Sequence, residues 1–316
     1  MSRVYEALQK SRGESPSASP LVSGQPEAAP GEATVVAVAA GVPVGMPTDA
    51  NWLNVPAERV LHPTPIPEQR LVALAEPNSR GAEMFRVLAT RLAHMQNKRR
   101  LQKLLVTSAV GDEGKSVVAI NLALTLARRH NARTLLIEAD LRRPSAAKLL
   151  TSASLRGISE WDAGKLSLED SLYQVKDLPL WLLSGGQGME EPLPLLESDR
   201  FAKMLDTISS SFDWVVLDAT PLLPMADAIS LSRLCDGVLV VVREGFTRRK
   251  VLDKALEAIE KPKLLGVVFN QASMLNIDYD RYYGGNNSSG KSKKEAKKEA
   301  KKEAKKEAEK VTAATA

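Results

Sequence analysis

The stretch Leu104–Ser116, L-L-V-T-S-A-V-G-D-E-G-K-S, constrains the fold of this chain more than any other. An apolar run of strand length meets a loop ending Gly114-Lys115-Ser116, and the amphipathic segment V-V-A-I-N-L-A-L-T-L-A-R-R follows at once. The order is strand, loop, helix. In such a unit the loop's backbone N–H groups and the helix N-terminus make an anion site. Lys115 can then reach the β- and γ-phosphates of a nucleotide, and the Ser116 hydroxyl can ligate Mg²⁺. The pattern is A-x-x-x-x-G-K-S, with Ala109 at its first position. A glycine turn carrying a solvated lysine is the plain alternative, and it leaves the next motifs unexplained.

Those motifs arrive in order. T-L-L-I-E-A-D-L-R (134–142) is a second apolar strand ending in Glu138, Asp140 and Arg142. D-W-V-V-L-D-A-T-P (213–221) is a third, ending in Asp218 with Pro221 three residues on. Continuous apolar runs suit parallel strands covered on both faces. Carboxylates at their C-terminal ends fall where open α/β sheets bind ligands. One acid after a strand is usually a helix cap; three beside a phosphate loop point to a Mg-nucleotide site.

On these residues the chain resembles the bacterial protein-tyrosine kinases (BY-kinases) of capsule and exopolysaccharide biosynthesis, within the MinD/ParA-like P-loop ATPases. That family carries a phosphate loop, then three apolar residues and D-x-D-x-R, then three apolar residues and D-x-x-P. Here these read A-V-G-D-E-G-K-S, L-L-I-E-A-D-L-R and V-V-L-D-A-T-P. Matching stretches also occur at 141–144, 191–201, 236–249 and 265–270, so the similarity spans roughly residues 77–285. It implies an ATP- and Mg²⁺-dependent autokinase. Nucleotide contacts would come from Gly111, Asp112, Glu113, Gly114, Lys115, Ser116 and Val117, with Arg142 and Asn270. Ser116, Asp140 and Asp218 would bind Mg²⁺, and Lys115, Glu138, Asp140 and Asp218 would carry catalysis. Glu138 is the first candidate base toward tyrosine and Asp140 the second.

Three departures stand out. Partition ATPases of the wider group carry an extra lysine where this chain has Val110, which favours the kinase branch. The first acid of the second motif is Glu138 rather than aspartate, and an extra methylene can move a carboxylate by about an ångström, enough to cost ~10²-fold in rate. The family's assembly motif E-x-x-R-x-x-R is partial: Glu83 and Arg86 fit, Ala89 replaces the second arginine, and Arg91 lies on another helical face.

Three of the five tyrosines, Tyr279, Tyr282 and Tyr283, fall within five residues beside a Gly/Asn/Ser-rich run. No core can form there. A chance aromatic patch is the bland reading; by resemblance they are phosphoacceptors, presented in trans within a homo-oligomer.

Eleven of the eighteen prolines lie in the first 77 residues, so residues 13–76 read as a disordered linker after a short helix at 1–12 (Val4 and Leu8 at helical spacing, Ser2 as N-cap). That helix is a docking peptide or a chance amphipathic turn. No stretch is long and apolar enough for a spanning helix or signal peptide, so a cytoplasmic location is expected, peripheral at the inner face of the plasma membrane. Cys235 is the only cysteine, which excludes an intramolecular disulfide.

The net charge of +5 resides in the tail: residues 291–310 hold ten lysines and five glutamates, so everything else sums to zero. That gives no electrostatic case for nucleic acid. The K-K-E-A repeat favours helix but has no apolar stripe. It reads as a solvated tail, with attraction to an anionic membrane surface as the second reading.

The expected fold is α/β, a doubly wound, mostly parallel sheet of the P-loop NTPase (MinD/ParA-like) class, with a kinase domain at 77–275, a tyrosine segment at 276–290 and the charged tail at 291–316. Strands are expected near 103–107, 134–138, 180–184, 214–218, 237–242 and 264–269. Helices are expected near 79–98, 115–130, 144–150, 168–174, 198–210, 226–234 and 248–259. The resemblance further implies a membrane-bound polysaccharide co-polymerase or chain-length protein as activator. A MinD/ParA-like ATPase switch and a non-catalytic regulator of polysaccharide assembly are the rival readings.

Overall fold

The computed structural model describes residues 53–63, 70–129, 131–151 and 153–272. The N-terminal helix at 1–12, the tyrosine segment and the charged tail all lie outside them. Eight strands form one sheet: β1 (Val60–Leu61), β2 (Lys103–Ser108), β3 (Thr134–Glu138), β4 (Leu172–Val175), β5 (Leu180–Leu183), β6 (Trp214–Asp218), β7 (Gly237–Arg243) and β8 (Leu264–Asn270). Their spatial order is β1-β4-β5-β3-β6-β2-β7-β8. Every pairing is parallel except β4 with β5.

The central strands are buried throughout because both faces are covered. Alternate residues feed two cores: Leu105, Ile137, Val215 and Leu217 on one face, Leu104, Val106, Leu136 and Val216 on the other. The period of two in a strand produces this division. The helix Lys115–Arg128 is buried along most of its length and packs into the second core. At about 25 cal/mol per Å² of apolar burial, these two layers hold the strand ends in place.

All six expected strands form, within about a residue of their expected bounds. The helix expected over 168–174 does not. Glu169–Ser171 make a single 3₁₀ turn, and Leu172–Val175 become β4, antiparallel to β5. A helix of seven residues is marginal in isolation, and an open strand edge at β5 offers the same backbone a ladder of hydrogen bonds.

The packed region also reaches upstream of Pro77. Residues expected to be linker supply buried Val55, Leu61, Leu71 and Ala73, and β1 pairs with β4. Asn121 fastens this segment from the long helix, accepting from the Ala73 N–H at 2.9 Å and donating to the Arg70 carbonyl at 3.1 Å. Proline density marked a low-complexity stretch, but a few apolar side chains suffice to dock its end. Ala89 of the helix Arg80–Gln96 is fully buried, so an arginine could not stand there without leaving the core. Glu83 and Arg86 pair with each other on the exposed side, with Arg86 Nε 2.6 Å from Glu83 Oε2.

Candidate active site

Strand β2 ends at Ser108, and the loop 109–114 turns back over its carboxyl end before the helix begins at Lys115. Gly114 adopts φ +84°, and a Cβ there would lie 2.1 Å from Asn270 Nδ2, so only glycine fits. The loop is braced from inside. Glu113 is fully buried; its carboxylate accepts the Val110 N–H at 3.0 Å and the Thr247 hydroxyl. Asn270 Nδ2 donates to the Glu113 carbonyl at 2.8 Å. Glu113 and Asn270 were expected to touch nucleotide; here both side chains hold the loop's shape. The free N–H groups of the helix's first turn remain available to an anion.

Around the loop, the structure brings together Lys115, Ser116, Asp140 and Asp218. They come from three strand ends that are neighbours in the sheet, with Glu138 and Asp218 in register on β3 and β6. Lys115 Nζ lies 2.8 Å from Asp140 Oδ2, and Asp140 Oδ1 accepts the Arg143 N–H at 3.1 Å. Burial works against the charge of Lys115, but the carboxylates of Asp218 and Asp140 outweigh it and raise its pKa. Asp218 is fully buried, and neither carboxylate oxygen has a hydrogen-bond partner in good geometry, though the nearby Ser116 hydroxyl favours its charged form. Burial pushes its pKa up to about 6, against the opposing pull of Lys115. Lys115, Ser116 and Asp140, with Gly111, Asp112, Val117 and Met225, line a cleft of about 460 Å³, and Asp218 lies buried behind its wall beside Thr220 and Pro221.

Glu138 does not face this cleft as a base. Its Oε1 accepts the Ala146 N–H, and its Oε2 accepts the Gly185 N–H at 3.0 Å and the Ser184 hydroxyl at 3.2 Å. The extra methylene lets the carboxylate reach across to the start of the helix Ala146–Thr151 and the loop after β5. Three donors hold the Glu138 carboxylate in this cap, whereas Asp140 stands beside Lys115 at the cleft. Arg142 is likewise committed: Nε and Nη2 meet the two oxygens of Asp227 at 2.7 and 3.3 Å, and Nη1 donates to the Glu190 carbonyl at 2.6 Å. Asp227, Thr247, Ser184 and Gly185 carried no local sequence signal, because each acts on a partner distant in the chain.

Among the described residues, no group of three or more His, Cys, Asp or Glu side chains forms a cage for a metal ion. The two partnerless oxygens of Asp218 beside Ser116 fit Mg²⁺ instead, which is held by one or two protein oxygens and completed by substrate phosphates and water.

No family model matches this chain. The tyrosine-protein kinase YwqD of Bacillus subtilis (strain 168) is 30% identical over 219 residues, covering 69% of this chain and 92% of that one. The chain belongs to the bacterial tyrosine-protein kinase family. The kinase domain of Escherichia coli tyrosine kinase ETK superimposes with a TM-score of 0.60 at 28% identity, over 65% of this kinase and 82% of that domain. The succinoglycan biosynthesis transport protein ExoP of Rhizobium meliloti (strain 1021) is 32% identical over 216 residues. That match covers 66% of this kinase but only 27% of ExoP.

Proposed function

We propose that this chain is an ATP- and Mg²⁺-dependent protein-tyrosine autokinase acting in capsular or exopolysaccharide biosynthesis and export. The observation that carries it is that Lys115, Ser116 and Asp140 line one cleft at the carboxyl ends of β2, β3 and β6, with the buried Asp218 carboxylate acting on Lys115. Lys115 leaves Asp140 to bind the β- and γ-phosphates, with the first-turn N–H groups behind them. Ser116 and Asp218 would hold Mg²⁺, which would supply charge neutralisation of the phosphates. The tyrosine oxygen forms a bond to the γ-phosphorus as the bond from that phosphorus to the β,γ-bridging oxygen breaks. ADP leaves with the electron pair, and the hydroxyl proton passes to Asp140. Positioning and charge stabilisation provide most of the rate in such transfers.

The acceptors are Tyr279, Tyr282 and Tyr283. ExoP is named for succinoglycan biosynthesis and transport, and likeness to it supports the polysaccharide pathway and a membrane co-polymerase partner. Among the described residues no helix is long and apolar enough to cross a membrane. On this reading the kinase works at the cytoplasmic face beside that partner, with the lysine-rich tail as an adhesive for anionic lipid.

Tandem mass spectrometry after incubation with ATP and Mg²⁺ tests the proposal. Phosphate should appear on residues 279–283 and vanish when all three tyrosines become phenylalanine. ATP hydrolysis without any phosphotyrosine would favour an ATPase switch, and failure to bind nucleotide would favour a non-catalytic regulator.

A further inference from the structure

The helix that begins at the phosphate loop, Lys115–Arg128, ends about 20 Å away beside the first turn of the helix Arg80–Gln96. Between these two ends lies a cavity of about 400 Å³ that shares no residue with the nucleotide cleft. Its size lies at the lower end for ligand sites and suits a small molecule.

Three arginines line it, Arg86, Arg128 and Arg129, against a single acid, Glu83. Glu83 is committed to Arg86, whose Nε stands 2.6 Å from Glu83 Oε2 and whose Nη1 donates to the Pro77 carbonyl at 2.7 Å. Arg128 and Arg129 form no ion pair among the described residues, so two guanidinium charges stand uncompensated. Their hydrogen bonds go to neutral groups. Arg128 Nη1 donates to the Ala73 carbonyl, and Arg129 Nη1 to the Thr90 hydroxyl. Arg129 Nε is buried and has no acceptor. Native proteins rarely keep a buried charged donor in this condition, because nothing offsets its desolvation. An oxyanion beside the guanidinium would supply the acceptor.

The helix dipoles do not decide the sign of the site. The amino end of Arg80–Gln96 favours an anion, the carboxyl end of Lys115–Arg128 disfavours one, and the two oppose each other. Basic residues at a helix's carboxyl end often only complement its dipole. That role needs no cavity and would let both side chains extend into water, yet Arg129 is drawn in against Thr90.

We propose that this cavity is a second ligand site, specific for the phosphate group of a small phosphorylated molecule, with Arg128 and Arg129 as its anchors. Two planar forks of N–H donors match a tetrahedral dianion, whose three terminal oxygens can accept from both; a carboxylate offers two oxygens and a single charge. The inference stands apart from the kinase reading, since it uses none of the residues of the nucleotide cleft.

The test uses the full-length protein with Mg²⁺ and a non-hydrolysable ATP analogue at saturation, so that the phosphate loop is filled. Inorganic phosphate is the probe, and chloride at equal ionic strength is the control. Phosphate should raise the Tm of the wild type saturably, and by more than it raises that of the Arg128→Gln, Arg129→Gln double variant. Its Kd by calorimetry should weaken about tenfold or more in Arg128→Gln alone, the scale for losing a charge-assisted hydrogen bond. Arg128 is exposed, so this variant leaves the core intact. Arg129→Lys keeps the charge but not the fork and should also weaken phosphate. On the unmutated protein, phosphate should shield Arg128 and Arg129 from phenylglyoxal, read by peptide mass spectrometry, and leave Arg249 reactive. Equal Tm gains in wild type and double variant, or labelling that phosphate does not change, overturn the inference. So does self-association that Arg128→Gln abolishes while phosphate fails to bind, because the cavity would then be a contact between copies.

Discussion

The ammonium of Lys115 rests 2.8 Å from Asp140 Oδ2, so the lysine expected to grip phosphate and the acid expected to take a proton are held as a pair. Nucleotide phosphates compete for the same ammonium, and its transfer to them would free Asp140 for the acceptor hydroxyl. Lys115→Ala should abolish autophosphorylation, since it removes both the phosphate contact and the partner of two carboxylates. The assay is phosphotyrosine after ATP addition, and undiminished signal would sink the site assignment. Asp140→Asn should also lose turnover, by about 10²-fold or more, the scale for removing general-base help.

Asp218 links metal binding to pH. Its pKa in the folded protein is raised to about 6 from an ordinary value of 3.8, so the native state holds the proton more tightly than the unfolded chain. Stability from this group is therefore greatest below about pH 4 and declines as pH rises through about 6. Asp218→Asn should raise the Tm of the protein without Mg²⁺ at pH 7.5 by a few degrees, and the gain should disappear near pH 4. Mg²⁺-dependent nucleotide binding should weaken in the wild type below about pH 6, as protons displace the metal. A Tm gain that persists at pH 4 would refute the buried-carboxylate account.

Glu138 should behave as a structural acid. Glu138→Gln sets an amide N–H against the Ala146 N–H, leaving a buried donor unpaired at a cost of about 1–3 kcal/mol. For a domain of this size that is a fall of a few degrees to about ten in Tm. Thermal unfolding beside activity at low temperature separates this from a catalytic role. Loss of turnover with unchanged Tm would restore Glu138 as the base.

The brace between Thr247 and Glu113 should tune nucleotide affinity. Thr247→Val removes the hydroxyl that the buried Glu113 carboxylate accepts, while Thr247→Ser keeps it. The valine variant should bind ATP several-fold more weakly, with kcat at saturation little changed, and the serine variant should match wild type. Equal ATP affinity in all three would mean that the loop holds its shape without the brace.

Much of the sheet was legible in advance. The runs ending at Ser108, Glu138 and Asp218 are continuous and apolar, a pattern that only doubly covered parallel strands bury well. The short strand Leu172–Val175 was not legible, because its burial at positions one and four fits a helical turn as readily as a strand. Its state depends on β5 being there to pair with.

The amino-acid order alone determined which strand ends carry Lys115, Ser116, Asp140 and Asp218, since apolar runs, the glycine turn and terminal acids are local signals. Tertiary structure decided what each side chain does there. Glu138 became a cap because Ala146, Ser184 and Gly185 converge on it, and Arg142 became a strut because Asp227 lies opposite. Asp218, by contrast, is fully buried with only the donors Ser116 and Lys115 near its carboxylate. A carboxylate's role depends on which donors reach it, and those donors arrive from segments that only folding brings within 3 Å or so.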